Sequence, residues 1–128
     1  MTSILLDSDV VIENLRGKMP IVKSINQALE GGSSFFVTPI TWAEIYAGIR
    51  KGEERKIEAF FSAIPCVLIT EEIGKKAGEY LSDFSKSHGV KIADALIAAT
   101  AYEEELFLFT LNYKHYPMRD IEFYKPIS

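Results

Sequence analysis

The residues best equipped for chemistry in this 128-residue sequence are oxygen donors: Asp7, Asp9, Glu44, Asp94, Thr110 and Asn112. Carboxylates are the ligands that hard divalent cations such as Mg²⁺ and Mn²⁺ prefer, and Mg²⁺ takes only a few of them while keeping several waters. A bound ion of this kind polarises a phosphoryl oxygen and lowers the pKa of its water, and a pair also stabilises the leaving oxygen of an in-line displacement. Taken singly, each residue has an ordinary structural role. Asp7 can cap a helix, Asp9 can sit in a first turn facing the helix dipole, Glu44 is unexceptional in a helix, and Asn112 suits a turn. Asp94 can pair with Lys91, but Ala93 and Ala95 flank it in a stretch built for burial, where an unpaired charge is costly. The metal reading rests on the set, through the places these residues take relative to the strands.

Those places follow from the hydrophobic pattern. Ile4-Leu5-Leu6 is an apolar run that suits a buried parallel strand and closes on Asp7. Ser8 and Asp9 offer N-cap chemistry for a helix through Val10 to Leu15, stopped near Gly17 and Pro20, and Ile21 to Leu29 has helical spacing up to Gly31-Gly32. A second strand, Ser34 to Thr38, leads through Pro39 into a helix over Thr41 to Arg50, with Glu44 near its N-terminal turn. Glu53 to Ala63 predicts another helix, Val67 to Thr70 a third strand, and Glu71 to about Lys86 a helix capped by Thr70 and ended by Gly89. Lys91 to Glu105 is the most apolar helix and carries Asp94 in its first turn. Leu106 to Thr110 predicts a fourth strand and Ile121 to Tyr124 a short fifth. Alternating strands and helices predict an α/β domain, a three-layer α/β/α sandwich around a mainly parallel sheet of four to five strands. Ligands of such sheets bind at the carboxyl ends of the strands, near a topological switch point. Asp7, Glu44 and Asn112 follow strands in that sense, and Asp94 opens the helix that feeds the fourth.

Composition narrows the setting. The length fits one domain over residues 1–128, without repeats or long linkers, and a hydrophobic fraction of 48% with 25% charged residues is that of a soluble globular chain. No apolar run approaches the roughly 20 residues of a membrane helix, and the opening residues lack a signal-peptide pattern, so the expectation is a cytoplasmic protein without a membrane partner. Cys66 is the single cysteine, which excludes an intramolecular disulfide, and its apolar surroundings predict a buried thiol. A net charge of −4 argues against binding nucleic acid by bulk charge alone. Bound divalent ions can supply the missing positive charge.

The residues also carry a family pattern. Leu5-Leu6-Asp7-Ser8-Asp9-Val10-Val11-Ile12 resembles the opening motif of PIN domains, specifically of VapC-type toxins, and Thr41-Trp42-Ala43-Glu44-Ile45-Tyr46-Ala47-Gly48 resembles their second. Ile92 to Ala101, around Asp94, is similar to the third, and Thr110-Leu111-Asn112-Tyr113-Lys114-His115-Tyr116 to the fourth. Taken in order these motifs span almost the whole chain. The resemblance implies a PIN-like sandwich, homodimeric, that hydrolyses RNA with Mg²⁺ or Mn²⁺ and cuts structured RNAs such as tRNA or rRNA. It also implies a cognate antitoxin that inhibits by covering the acidic pocket. Carried over by position, Asp7, Glu44 and Asp94 are the central acidic residues and metal ligands, Asp9 is a further ligand, and Thr110 and Asn112 complete the catalytic set. Many relatives have an Asp where this chain has Asn112. An amide there orients water or ligates weakly but adds no charge, which leaves a second metal site less well supplied than the first.

Other side chains admit more than one reading. Arg50-Lys51, Arg55-Lys56, Lys86, His88, Lys91, Lys114 and His115 are potential phosphate contacts or solvated surface charges, with His115 better suited to a turn than to a general base. Trp42 and Tyr46 suit packing in a core or dimer interface, or stacking on a base or inhibitor. Two alternatives stand beside the nuclease. Asp7-Ser8-Asp9 also resembles the nucleophile and acid of haloacid-dehalogenase-type phosphatases, although Val10-Val11 follows where that family wants a small residue. A non-catalytic PIN scaffold that binds RNA or a protein is the other, favoured by Asn112 and opposed by the intact Asp7, Glu44 and Asp94.

Overall fold

The computed structural model describes residues 2–126, so Met1, Ile127 and Ser128 of the expected 1–128 domain lie outside the described residues. Its elements in chain order are β1 (Ser3–Leu6), α1 (Ser8–Leu15), α2 (Met19–Glu30), β2 (Ser34–Phe36), α3 (Pro39–Ala47), α4 (Glu54–Ser62), α5 (Glu71–His88), α6 (Ile92–Glu103), β3 (Phe107–Phe109) and a 3₁₀ turn at Tyr113–His115. The strands form a parallel sheet in the order β2-β1-β3, with Ile4 opposite Phe35 on one side and Phe107 on the other.

Three layers follow from the alternation of side chains along β1. Ile4 and Leu6 face one way, into a cluster with Val10, Val11, Ile25, Ile45, Ile57 and Phe61 from α1 to α4. Leu5 faces the other way, with Leu108, onto Ile73, Ala77, Ala95, Ile97 and Ala98 of α5 and α6. β1 is therefore covered on both faces and paired on both edges, which is why its three leucine and isoleucine residues are fully buried. The small residues of α6 let it pack closely between the sheet and α5.

The edges differ from the sequence expectation. Val67–Thr70 and Ile121–Tyr124 do not extend into strands; each side of the sheet gains a single parallel bridge, Val37 to Cys66 and Leu108 to Phe123. Val37 N–H donates to the Pro65 carbonyl and Val67 N–H to the Val37 carbonyl, but the next donor towards Val67–Thr70 would be the N–H that Pro39 lacks, and Pro65 has none to give towards Phe35, so pairing stops after one residue on that edge. Cys66 lies there exposed, against the expectation of a buried thiol, because its segment joins the sheet through one bridge at the edge instead of entering it as a strand. The third helix begins earlier than its hydrophobic spacing predicts. Thr38 caps it, accepting from Ile40 N–H at 3.1 Å and Thr41 N–H at 3.4 Å, and Pro39 supplies the first turn, so Glu44 falls in the second turn of α3 rather than near its start. Pro20 likewise opens α2 instead of ending α1. Among the described residues no helix is long and apolar enough to cross a membrane.

Because β2 and β3 flank β1 and depart in opposite directions, the carboxyl end of β1 is the switch point of the sheet. α6 runs back into β3 through a short turn, which places its N-terminus and Asp94 at that same end. The αL residue Gly89, at φ 66°, closes α5 and aims the chain at α6. Among the described residues a Cβ at Gly89 meets nothing within 4 Å, so Gly89→Ala carries the left-handed backbone penalty without a clash. The expected result in urea denaturation is a loss of about 1 kcal/mol, and an unchanged midpoint would contradict this role.

Candidate active site

Asp7 terminates β1 in extended backbone and serves as the N-cap of α1. Its own N–H donates to the Phe109 carbonyl at 3.0 Å, which fixes it beside the end of β3. The carboxylate is buried and well supplied with donors. Oδ1 accepts from Ser8 N–H at 2.8 Å, while Oδ2 accepts from the Thr110 hydroxyl at 2.9 Å and the Tyr116 hydroxyl at 2.7 Å. Asp9, one residue into the helix, accepts from Val10 N–H at 2.7 Å and Leu111 N–H at 3.0 Å, with the Thr110 hydroxyl at 3.4 Å. Asn112 N–H in turn donates to the Thr110 oxygen at 3.1 Å, so the strand end after β3 wraps around the two aspartates.

Glu44 reaches the same pocket from α3. Its Oε1 accepts from the Ser8 hydroxyl at 2.6 Å, and Ser8 Oγ is 3.3 Å from Thr41 Oγ1, so Ser8 joins the first strand's end to the α3 wall. Asp94 enters from the first turn of α6, half-buried, with Oδ2 3.5 Å from His115 Nδ1 and Oδ1 3.5 Å from the Tyr116 hydroxyl. His115 Nε2 is 3.0 Å from Asn112 Nδ2, and if that amide donates, Nδ1 carries the proton facing Asp94. Asp7, Ser8, Asp9, Glu44, Lys91, Asp94, Asn112 and His115 line one open pocket, with Ile12 and Ala93 at its apolar margins.

The electrostatics record how close these groups are. Burial, and then the Asp7 charge, push the Asp9 carboxyl up from 3.8 to about 6 against the pull of its hydrogen bonds. Asp94 is raised by burial first, with His115 opposing and the Asp7 and Glu44 charges adding to the rise. Tyr116 is pushed up by burial and by Asp7, so it stays a hydroxyl donor. Among the described residues no Lys or Arg forms an ion pair with these carboxylates. As the side chains stand, no three acidic, histidine or cysteine groups among the described residues close tightly enough around one point to hold an ion. The donor set still fits a hydrated hard cation: carboxylates of different elements face one pocket, Asp7 buried, Asp9 and Asp94 partly buried and raised by that burial and their neighbours' charge, Glu44 exposed, with no Lys or Arg among the described residues paired to them.

The PIN domain family matches residues 4–121. The chain belongs to that family. "Ribonuclease VapC19" of Mycobacterium tuberculosis is 33% identical over 115 residues, 89% of this chain and 92% of that protein. The fold of this PIN domain superimposes on VapBC2 from Rickettsia felis, solved bound to a DNA fragment from its promoter, with a TM-score of 0.82 at 17% identity over 96% of this chain and 98% of the other. A toxin-antitoxin complex from Klebsiella pneumoniae matches with a TM-score of 0.70 at 24% identity, over 93% and 98% of the two chains. At such identities the likeness shows the fold alone. Family membership accounts for Asp7-Ser8-Asp9 without the phosphatase reading.

The PIN sandwich brings Asp7, Asp9, Glu44, Asp94 and Asn112 to a common pocket and buries Thr110 beneath them as a hydrogen-bond hub. Lys91 does not pair with Asp94; it caps α6 by its backbone, and His115 takes the place beside the carboxylate. Of the basic residues considered for phosphate contact, Lys91 and His115 line the pocket, and the others lie outside its lining. Trp42 stacks on Phe61, ring centroids 4.0 Å apart, and lies parallel to Tyr46 at 5.7 Å, so both belong to the packing of α3 against α4. Sequence reasoning missed two contributors. Ser8 reads as a cap yet holds Glu44, and Tyr116, which closes the fourth motif without a role assigned to it there, bonds Asp7. Nothing in its residue type or spacing announces a hydroxyl aimed at a residue more than a hundred positions away.

A folded-state value of about 6 for the Asp9 carboxyl against an unfolded value near 3.8 means the folded chain binds this proton more tightly, so the penalty is full above about pH 6 and is relieved as pH falls towards 4. In metal-free protein, Asp9→Asn removes that penalty. Urea denaturation in chelator is expected to show the substitution more favourable at pH 7 than at pH 4.5 relative to wild type, and an equal effect at both would contradict the shift.

Proposed function

We propose that this PIN domain is a Mg²⁺- or Mn²⁺-dependent endoribonuclease, the toxin of a VapBC-type toxin–antitoxin pair, that cuts structured RNA such as tRNA or rRNA and works as a homodimer. The observation that carries the reading is the gathering of Asp7, Asp9, Glu44 and Asp94 at the carboxyl end of a parallel sheet, in a chain whose relative VapC19 is named a ribonuclease. Asp7, Glu44 and Asp94 are the residues that hold the ion, with Asp9 as an additional ligand and Asn112 able to orient water. When bound, the ion supplies the positive charge that polarises a phosphodiester and makes a water nucleophilic at neutral pH.

The chain's own residues do the rest. Thr110 and Tyr116 hold Asp7, and Ser8 holds Glu44, so two of the ligands are oriented before any substrate arrives. Lys91, on the pocket rim, gives an otherwise acidic mouth a cation for the RNA backbone, and His115 orders the Asn112 side chain next to Asp94. A protein partner with a basic side chain would be complementary to the same carboxylates. That is the chemistry by which an antitoxin would inhibit this site, and the toxin-antitoxin structure among its fold neighbours supports such a pairing.

Purified protein incubated with total RNA and Mn²⁺ tests this reading. Cleavage is expected with Mn²⁺ and is expected to stop with EDTA. Asp7→Asn and Asp94→Asn are each expected to lower the rate by roughly a hundredfold or more, since each removes a ligand charge. Equal cleavage by wild type and both variants, or persistence in EDTA, would contradict the metal-dependent assignment.

A further inference from the structure

We propose that Tyr116 is a positioning residue for the metal site, its hydroxyl locking Asp7 so that Oδ1 is the oxygen left to bind. The inference rests on the metal-dependent reading and adds a residue to it. A carboxylate has about four acceptor positions, two on each oxygen. On Asp7, Oδ2 accepts from two hydroxyls, Thr110 at 2.9 Å and Tyr116 at 2.7 Å, while among the described residues Oδ1 takes one bond, from Ser8 N–H at 2.8 Å. Oδ1 is therefore the oxygen that the protein's own donors engage less. The Thr110 hydrogen is within reach of two aspartates, 2.9 Å from Asp7 and 3.4 Å from Asp9. Tyr116 has one hydrogen as well, and the shorter of its contacts assigns it to Asp7 rather than to Asp94 at 3.5 Å.

The position of that hydroxyl is set by the core. The Tyr116 ring is 3% exposed and meets Phe123 edge-on, 6.4 Å between centroids, and Phe123 is held by its bridge to Leu108 in β3. A phenylalanine would fill the same space without a polar atom to desolvate. A buried hydroxyl costs stability unless it is bonded, and the partners of this one are Asp7 and Asp94. Its use thus lies in the site and not in the packing. Groups that orient a ligand in this way typically change metal affinity by 10–100-fold when removed.

The test is Tyr116→Phe in the full chain, read by calorimetric titration with Mn²⁺ and by RNA cleavage as a function of Mn²⁺, with Tyr113→Phe, an exposed tyrosine of the adjacent turn, as control. The expected result is a Mn²⁺ dissociation constant raised about tenfold, cleavage shifted to correspondingly higher Mn²⁺ and largely restored at saturation, a cooperative melt in EDTA, and no change in the control. A Tyr116→Phe affinity within twofold of a wild type that binds Mn²⁺ would overturn the positioning role alone. A wild type that neither binds Mn²⁺ nor cleaves RNA with it would overturn the nuclease reading as well.

Discussion

Asp7 is a charged group that the fold places at the end of its most buried strand, and the surrounding structure is organised around keeping that charge tolerable. β1 is paired on both sides and covered on both faces, so the chain cannot leave the sheet there without carrying polar groups into a partly dry environment. Asp7 meets that requirement by capping α1 and by accepting from hydroxyls that come from the far end of the chain. An unpaired buried carboxylate would cost several kcal/mol, whereas a hydrogen bond to a charged group returns about 1.5–3 kcal/mol. The same bonds tie the strand end after β3 and the turn before Phe123 to the first strand.

What hydrogen bonds do not cancel is the repulsion between neighbouring carboxylates. Asp9 and Asp94 are both shifted towards the protonated form, and Asp7 contributes to each shift. The N-termini of α1 and α6 open into the pocket and each offsets roughly 0.3–1 kcal/mol of negative charge. His115 beside Asp94 offsets a further part when protonated. The remaining deficit of positive charge is the physical reason to propose a cation here, and an acidic protein of net charge −4 would need one to take the polyanion proposed as its substrate.

Much of this was legible before the structure. Apolar runs ending in Asp7 and Thr110, the Gly and Pro punctuation, and the almost wholly apolar stretch around Asp94 are local signals, and the layers and the acidic pocket follow from them. The illegible parts are those decided at a distance. Val67–Thr70 has the same apolar character as a strand, yet it stays out of the sheet, whose bridge from Val37 ends at Cys66, because pairing depends on which donors the sheet edge offers. The start of α3 was set by the Thr38 cap rather than by hydrophobic spacing, which moved Glu44 along the helix without removing it from the pocket. Tyr116 and His115 act through a 3₁₀ turn whose path across the strand ends no periodicity encodes.

The central claim is that Asp7, Glu44 and Asp94 jointly hold a divalent ion, and it is tested most directly by anomalous scattering from crystals soaked in Mn²⁺, recorded at the manganese edge. The expected map has its strongest peak between these carboxylates, in contact with Asp7 Oδ1. A strongest peak elsewhere, or none at these side chains with saturating Mn²⁺, would contradict it.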